Sequence, residues 1–262
     1  MKLSIIIVSW NVRDLLEKCL QSIARNPLYF QTETFVIDNN SNDGTAEMVA
    51  KKFPQVRLIA NSNNLGFAKA NNQGIRQAVG DYILLLNPDT ELFPDTLSKS
   101  IEFMASHQDC GIMGPRMLYG DRKLQPSVRR FPTFWPIFLM LTKTPKVFKN
   151  IKAINNYLAT DFDYNEEQTV DQVEGAYMFI TRGVIDKIGF LDERYFNWFE
   201  EVDFCLQTKK AGLQVYYNPN VQIIHHGGKS FAQQKKITNQ KVFFQSAWKY
   251  FLKNGFFRPK NK

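Results

Sequence analysis

The tetrad Asn87-Pro88-Asp89-Thr90 directly follows the apolar run Tyr82-Ile83-Leu84-Leu85-Leu86, so one carboxylate stands where a buried strand ends. In open α/β sheets that edge is where ligands sit. A carboxylate there suits a hard divalent cation bound to phosphate. An Asp after a strand is equally a turn or helix-capping residue, so Asp89 alone does not decide the chemistry. Further along, Glu200-Glu201-Val202-Asp203 brings three carboxylates to the start of a helix. They are either reactive groups or ordinary partners of the helix dipole. His225-His226 precedes Gly227-Gly228 and offers metal ligands, phosphate donors or a structural pair.

Short polar residues recur after the strands of the first half. Ser9-Trp10-Asn11, Asp38-Asn39-Asn40, Asn64-Leu65-Gly66-Phe67 and Asn87-Pro88-Asp89 would all meet at one sheet edge. Small polar side chains let the backbone approach a ligand and supply donors to phosphate or sugar oxygens. Glu174-Gly175-Ala176 stands near the start of a later strand, where Gly175 would admit a ligand close to the backbone. No GxGxxG follows the first strand and there is no Walker lysine loop, which disfavours dinucleotide dehydrogenases and P-loop enzymes.

The elements that must position these groups alternate. The spacing predicts strands over residues 3–9, 34–37, 56–60 and 81–86. Between them it predicts a helix through Leu15, Leu16, Cys19, Leu20 and Ile23, one capped by Asp43, and one over 68–79. Strand–helix alternation with short connections implies a parallel sheet with right-handed crossovers. A helix ending near 107, strands over 111–115, 173–180, 215–217 and 221–224, and helices over 183–188 and 199–211 follow. Gly212 closes the last of these helices. From 116 to 171 the pattern weakens. The prolines of the apolar run 131–141 argue against one continuous helix. That run reads as an apolar loop over a pocket, a membrane-dipping segment or a core-packing insertion. One domain over 1–230 with a basic amphipathic appendage over 231–262 is the economical division.

Composition is that of a globular protein, 44% hydrophobic and 22% charged, with a net charge of +8. No acidic residue follows Asp203, and the tail from 229 interleaves lysines with aromatic residues. This is either a solvated helix with one packed face or a peripheral contact with an anionic membrane. No nucleic acid is expected, because no reader motif accompanies the charge. Three cysteines without a CxxC pair argue against a disulfide framework and for a reducing, cytoplasmic setting. The apolar start is too short for a signal peptide, and no stretch reaches the ~18 apolar residues of a membrane span.

The succession Ser4-Ile5-Ile6-Ile7-Val8-Ser9-Trp10-Asn11, Val36-Ile37-Asp38-Asn39-Asn40, Asn64-Leu65-Gly66-Phe67, Asn87-Pro88-Asp89, Glu174-Gly175-Ala176, Phe199-Glu200-Glu201-Val202-Asp203 and His225-His226-Gly227-Gly228 resembles family 2 glycosyltransferases. Within them it looks most like the rhamnosyltransferase-like branch of bacterial surface polysaccharide synthesis. The resemblance implies a GT-A fold, a Rossmann-like, mostly parallel sheet flanked by helices, and inverting transfer from a nucleotide-sugar donor. The donor would be a dTDP- or UDP-sugar, with rhamnose favoured, and the acceptor a glycan or lipid-linked hydroxyl. Ser9, Trp10, Asn11, Asp38, Asn40, Asn64, Gly66, Phe67, Asn71, Asn87 and Gly175 would bind the donor, with Asp38 on the base. Asp89 would hold Mg2+ or Mn2+, with His225 or His226 completing the metal or diphosphate site. The family's acidic-x-acidic signature here reads Asn87-Pro88-Asp89, so Asn87 is expected to bond ribose or phosphate rather than metal. The base role carries onto Glu201, with Glu200 and Asp203 as competitors. A nucleotidyltransferase and a non-catalytic nucleotide- or glycan-binding module are the alternatives.

Overall fold

Four runs of aliphatic and aromatic residues build the first half of the sheet in this computed structural model, which describes residues 1–26, 31–142, 151–227 and 236–257, with backbone alone over 236–239. They are β1 (Lys2–Ser9), β2 (Gln31–Asp38), β3 (Arg57–Ala60) and β4 (Tyr82–Leu86), linked by α1 (Arg13–Ala24), α2 (Thr45–Lys52) and α3 (Phe67–Gln77). β1 runs parallel to β2 and β4, and β2 to β3, as the alternation requires. β1 is apolar on both faces because both are covered. Ile6 packs into one core cluster, while Ile5 and Ile7 pack into the other.

The second half contributes β5 (Thr90–Leu92), α4 (Thr96–Ser106), β6 (Cys110–Leu118), β7 (Leu124–Gln125), β8 (Val128–Arg129), α5 (Phe134–Leu141) and α6 (Lys152–Tyr157). After these come β9 (Gln168–Thr169), β10 (Gln172–Val173), β11 (Tyr177–Thr181), α7 (Arg182–Ile188), α8 (Glu200–Lys210), β12 (Gln214–His225) and α9 (Lys236–Asn254). The main sheet has the order β3-β2-β1-β4-β11-β6-β12-β5, and β8 pairs with β10 in a separate ribbon. β11 lies antiparallel to both β4 and β6, so the sheet is mixed rather than parallel throughout.

Three expectations change. The strand expected over 173–180 is two strands, because β10 belongs to the small ribbon and the chain leaves it at Glu174-Gly175-Ala176 before entering the main sheet. The two short strands expected near 215 and 221 are one, β12, whose register against β6 shifts between Asn218 and Gln222. The proline-bearing run does form a helix, α5. Pro136 is its third residue, where the backbone N–H would have no intrahelical partner, so the ring removes no bond.

The described part of the C-terminal tail, α9 and the residues to 257, packs on the molecule. Ala247, Tyr250 and Phe251 are buried in the same cluster as Phe199 and Val202. Lys253 Nζ lies 2.9 Å from Asp192 and 2.6 Å from Asp203. Among the described residues no helix is long and apolar enough to cross a membrane. All three cysteines are free and buried.

Candidate active site

A cleft of about 240 Å³ opens at the carboxyl edge of β1 and β4. Its floor is Val8 and Trp10 at the end of β1, Asn39 after β2, and Asn87-Pro88-Asp89 after β4. Facing it are Glu174-Gly175-Ala176 from the β10–β11 break, Glu200 and Glu201 at the start of α8, and His225 at the end of β12. Thus two pieces of the chain more than 80 residues apart share one concavity.

Asp89 owes its place to strand pairing. β5 runs antiparallel to β12 with Thr90 opposite His225, and the His226 N–H donates to the Asp89 carbonyl at 2.9 Å. His225 Nε2 therefore lies 3.4 Å from Asp89 Oδ1, both side chains being buried. Burial alone would lower the His225 pKa, but the Asp89 carboxylate and the charge of Glu174 outweigh it and raise the pKa. Neither ring nitrogen of His225 completes a well-formed hydrogen bond. His226 takes the opposite direction, as successive residues leaving a strand do. Its Nε2 meets Glu91 Oε1 at 2.7 Å, outside the cleft.

The acid pair owes its place to an unusual turn. Trp198 and Phe199 both have left-handed backbones, φ 63° and 72°. Bulky residues rarely adopt that conformation, and they hold it only where surrounding contacts enforce it. Those contacts come from α9. Phe199 packs on Phe243 and Tyr250, Trp198 packs on Phe243, and Ser246 Oγ donates to the Asn197 carbonyl at 2.8 Å. The turn sends the chain into α8 with Glu200 and Glu201 against the cleft. Burial raises the pKa of both. For Glu200 the Glu201 charge adds to the rise; for Glu201 the Arg129 cation opposes it while Glu174 adds to it. Oε2 of Glu174, of Glu200 and of Glu201 each lacks a hydrogen-bond partner. Three carboxyl groups around one cleft, each with a buried unmatched oxygen, is the arrangement of a site built for an external donor.

Gly66 also lines the cleft; it has φ 80°, and a Cβ there would stand 2.2 Å from the Phe196 carbonyl oxygen. Asn64 Oδ1 accepts from the Gly66 N–H at 2.9 Å, Asn39 Nδ2 donates to the Gly66 carbonyl at 3.2 Å, and the Phe67 N–H donates to the Phe196 carbonyl at 2.8 Å. Only glycine permits this approach of two backbones.

The cleft gathers Trp10, Asn64, Gly66, Phe67, Asn87, Asp89, Gly175, Glu200, Glu201 and His225 of the residues expected from sequence. It does not gather Asp203, whose carboxylate is held by Lys253, Asn254 and Gln207 on another side of α8. Asn71 donates to the Phe67 carbonyl and fixes the first turn of α3. Ser9 is fully buried. Asn11, Asp38 and Asn40 belong to a loop cluster next to Trp10 and Asn39. There the Asp38 carboxylate accepts from the N–H and Oγ of Ser41, and Asn11 Oδ1 accepts from the Asn42 N–H. Asn11 and Asn40 both have positive φ, which Asn tolerates. Phe196, Asn197 and Trp198 line the cleft without having been expected. Asn197 is the one turn-forming residue among them, and a left-handed aromatic pair has no sequence signature.

Among the described residues no group of three or more His, Cys, Asp or Glu converges as a closed metal cage. Asp89 and His225 still fit a divalent cation of the kind that keeps waters and takes its other ligands from substrate phosphates. The orphaned ring nitrogens of His225, buried beside a carboxylate, are the supporting observation.

The sequence pattern of glycosyl transferase family 2 matches residues 4–170. The chain is 25% identical over 254 residues to N-acetylglucosaminyl-diphospho-decaprenol L-rhamnosyltransferase of Mycobacterium tuberculosis, covering 86% of this chain and 76% of that one. It is 23% identical over 262 residues to rhamnosyltransferase WbbL of Escherichia coli, covering 96% and 90%. Mannosyltransferase PcManGT of Pyrobaculum calidifontis, solved with GDP-Man and Mn2+, superposes with TM-score 0.59 at 16% identity, over 94% of this chain and 69% of that one. The mixed sheet with flanking helices is the GT-A fold. This chain belongs to glycosyl transferase family 2.

Proposed function

We propose that the protein is a metal-dependent, inverting hexosyltransferase of cell-surface polysaccharide synthesis. It would move a sugar, rhamnose foremost, from a nucleoside diphosphate to a hydroxyl of a glycan or lipid-linked acceptor. The observation that carries this is the shared cleft, which Asp89, His225, Glu200 and Glu201 all line. An acceptor hydroxyl is a weak nucleophile at neutral pH, and a carboxylate within reach takes its proton as the new C–O bond forms. Glu201 is the base, because the nearby Arg129 cation favours its ionised form, whereas Glu200 sits against the charge of Glu201. Burial raises the pKa of both acids, so the cation beside Glu201 is what distinguishes them.

The nucleoside diphosphate departs from the anomeric carbon as the hydroxyl oxygen bonds to its opposite face, so one displacement inverts that centre. Asp89 and His225 would hold Mg2+ or Mn2+, which when bound stabilises the charge of the departing diphosphate. The side chains of Asn87 and Asn64 supply further fixed donors to the donor sugar nucleotide, and Gly175 lets it approach the backbone. Asp38 reads the base, consistent with a dTDP- or UDP-sugar. The relatives favour the rhamnosyl reading, and the decaprenol-linked acceptor in the mycobacterial relative's name favours a lipid-linked acceptor. Such an acceptor places the protein at the cytoplasmic face of the plasma membrane. Incubation with a panel of nucleotide sugars and divalent cations tests the reading. Release of nucleoside diphosphate with sugar transfer supports it; release of pyrophosphate identifies a nucleotidyltransferase, and binding without turnover identifies a recognition module.

A further inference from the structure

Two segments about 100 residues apart in the chain form one exposed aromatic face. On α9, Phe244, Trp248 and Leu252 recur every four residues and are 54%, 45% and 64% exposed. Trp135 and Phe138 of α5 are 59% and 43% exposed, and Phe257 is 79% exposed. Phe256 joins them. Its ring lies 5.6 Å from Trp248 and 5.9 Å from Phe134, and its carbonyl accepts the Phe134 N–H at 3.0 Å. Isolated exposed aromatics are ordinary, but a contiguous patch of this kind marks a surface that meets something apolar.

Charge identifies what it meets. Residues 122–160 and 204–262, which carry the two halves of this face, contain no Asp or Glu. They hold 19 of the 33 Lys and Arg of the chain, so the rest of the molecule is net acidic. Lys241 and Lys249 flank the aromatic stripe on α9 and are exposed. Exposed Trp and Phe beside the exposed Lys241 and Lys249, on segments without acidic residues, match a bilayer interface, where aromatic rings sit at headgroup depth and lysines meet anionic lipid. A protein partner would require acidic complementarity around the rim, and a second copy of this chain would set like charges against each other.

We propose that the face built from α5, α9 and Phe257 seats the protein on an anionic lipid bilayer. The inference rests on the transferase reading for its purpose, which is to bring the cleft to a membrane-held acceptor. The inner side of the same helix carries Phe243, Ser246 and Tyr250, which brace the turn that presents Glu200 and Glu201. One element thus faces the membrane outward and braces, inward, the turn that leads into the acid pair.

The experiment is flotation of the full-length chain with vesicles of phosphatidylglycerol and phosphatidylethanolamine, against vesicles of phosphatidylcholine alone. Binding to the anionic vesicles is expected to be at least about tenfold tighter and to weaken with salt. Trp135→Ser combined with Trp248→Ser should lose at least about tenfold, because two interfacial anchors are removed. Phe190→Ser changes an exposed aromatic that stacks with Arg76 elsewhere and should bind as the parent does. Should the double variant unfold, Phe244→Ser with Leu252→Ser asks the same question at two other exposed positions. Equal binding to both vesicle types, or a double variant that binds as well as the parent, overturns the proposal. So does a dimeric parent that the double variant converts to a non-binding monomer, which would make this a self-association face. Vesicle binding without sugar transfer would leave the face standing and sink the transferase reading; transfer to a soluble acceptor without vesicle binding would do the reverse.

Discussion

Gly66→Ala is the sharpest test of how the cleft is held together. The added methyl carbon would stand 2.2 Å from the Phe196 carbonyl oxygen and 2.8 Å from Phe196 Cδ2. Non-bonded contacts relax near about 3.5 Å, so the two backbones must separate by roughly 1.3 Å. The backbone of Gly66, φ 80° with ψ −177°, is one that only glycine adopts readily, and it adds about 1–3 kcal/mol for any residue with a Cβ. Loosening the Phe67–Phe196 backbone bond adds about 1 kcal/mol. Stability should fall by about 2–4 kcal/mol in total, roughly 5–15 °C in Tm for a chain of this size. Phe196 leads within four residues to Glu200, and a displacement of about 1 Å at a reacting group costs about 100-fold in rate. Turnover of the folded variant should therefore drop about 100-fold. Gly189→Ala is the control: φ is 81°, but nothing lies within 4 Å of the new carbon. It should lose only the conformational cost, about 1–3 kcal/mol, and keep its turnover. Calorimetric unfolding and donor-turnover assays on both variants decide. Full activity in Gly66→Ala, or equal loss in both, would refute the proposed coupling between this loop and the acid pair.

The remaining predictions concern charge. Glu201→Gln should lower kcat about 10²–10⁴-fold while calorimetry shows donor affinity intact; unchanged turnover would remove it as the base. Because the Glu201 pKa is raised, the acid limb of kcat/KM should lie above the ordinary glutamate range, and a limb at or below about 4.3 would contradict the burial argument. Glu200 is also raised, so its proton stabilises the folded chain at low pH and this contribution is lost as pH rises through the folded pKa. Glu200→Gln should accordingly raise Tm in alkaline buffer more than in acidic buffer. Asp89→Ala should abolish cation-dependent turnover with the far-ultraviolet spectrum unchanged; full, chelator-insensitive activity would end the metal assignment. Lys253→Met removes the cation paired with buried Asp203, leaving Asn254 and Gln207 as donors. A loss of about 3 kcal/mol is expected on denaturant titration, and no loss would mean that the α9 contact is weak.

Much of the strand-edge site was readable because its markers are local. Apolar runs ending in Asn, Asp or Gly announce strands that stop at a ligand edge, and Asn64, Gly66, Asn87 and Asp89 all stand where that logic puts them. What failed depended on partners far away in sequence. His225 and His226 are equivalent as text, and only the pairing of β12 with β5 turns one toward Asp89 and the other toward Glu91. Asp203 resembles its neighbours until Lys253, 50 residues on, is seen to claim it. Pro136 argued against a helix because the position of the helix start was unknown. The aromatic turn at 198–199 was invisible because its conformation is imposed by α9 rather than preferred by its own residues.

The dependence of that turn on α9 has a consequence for how the molecule is made. Synthesis proceeds from the N-terminus, and early parts of a chain begin folding before late ones emerge. The sheet strands, Asp89 and His225 are all encoded before residue 226, whereas Phe243, Ser246 and Tyr250 come later. A nascent chain on the ribosome can therefore bring Asp89 beside His225 while the contacts that hold the turn at 198–199 do not yet exist. The aim of Glu200 and Glu201 is set only when α9 folds back onto that turn.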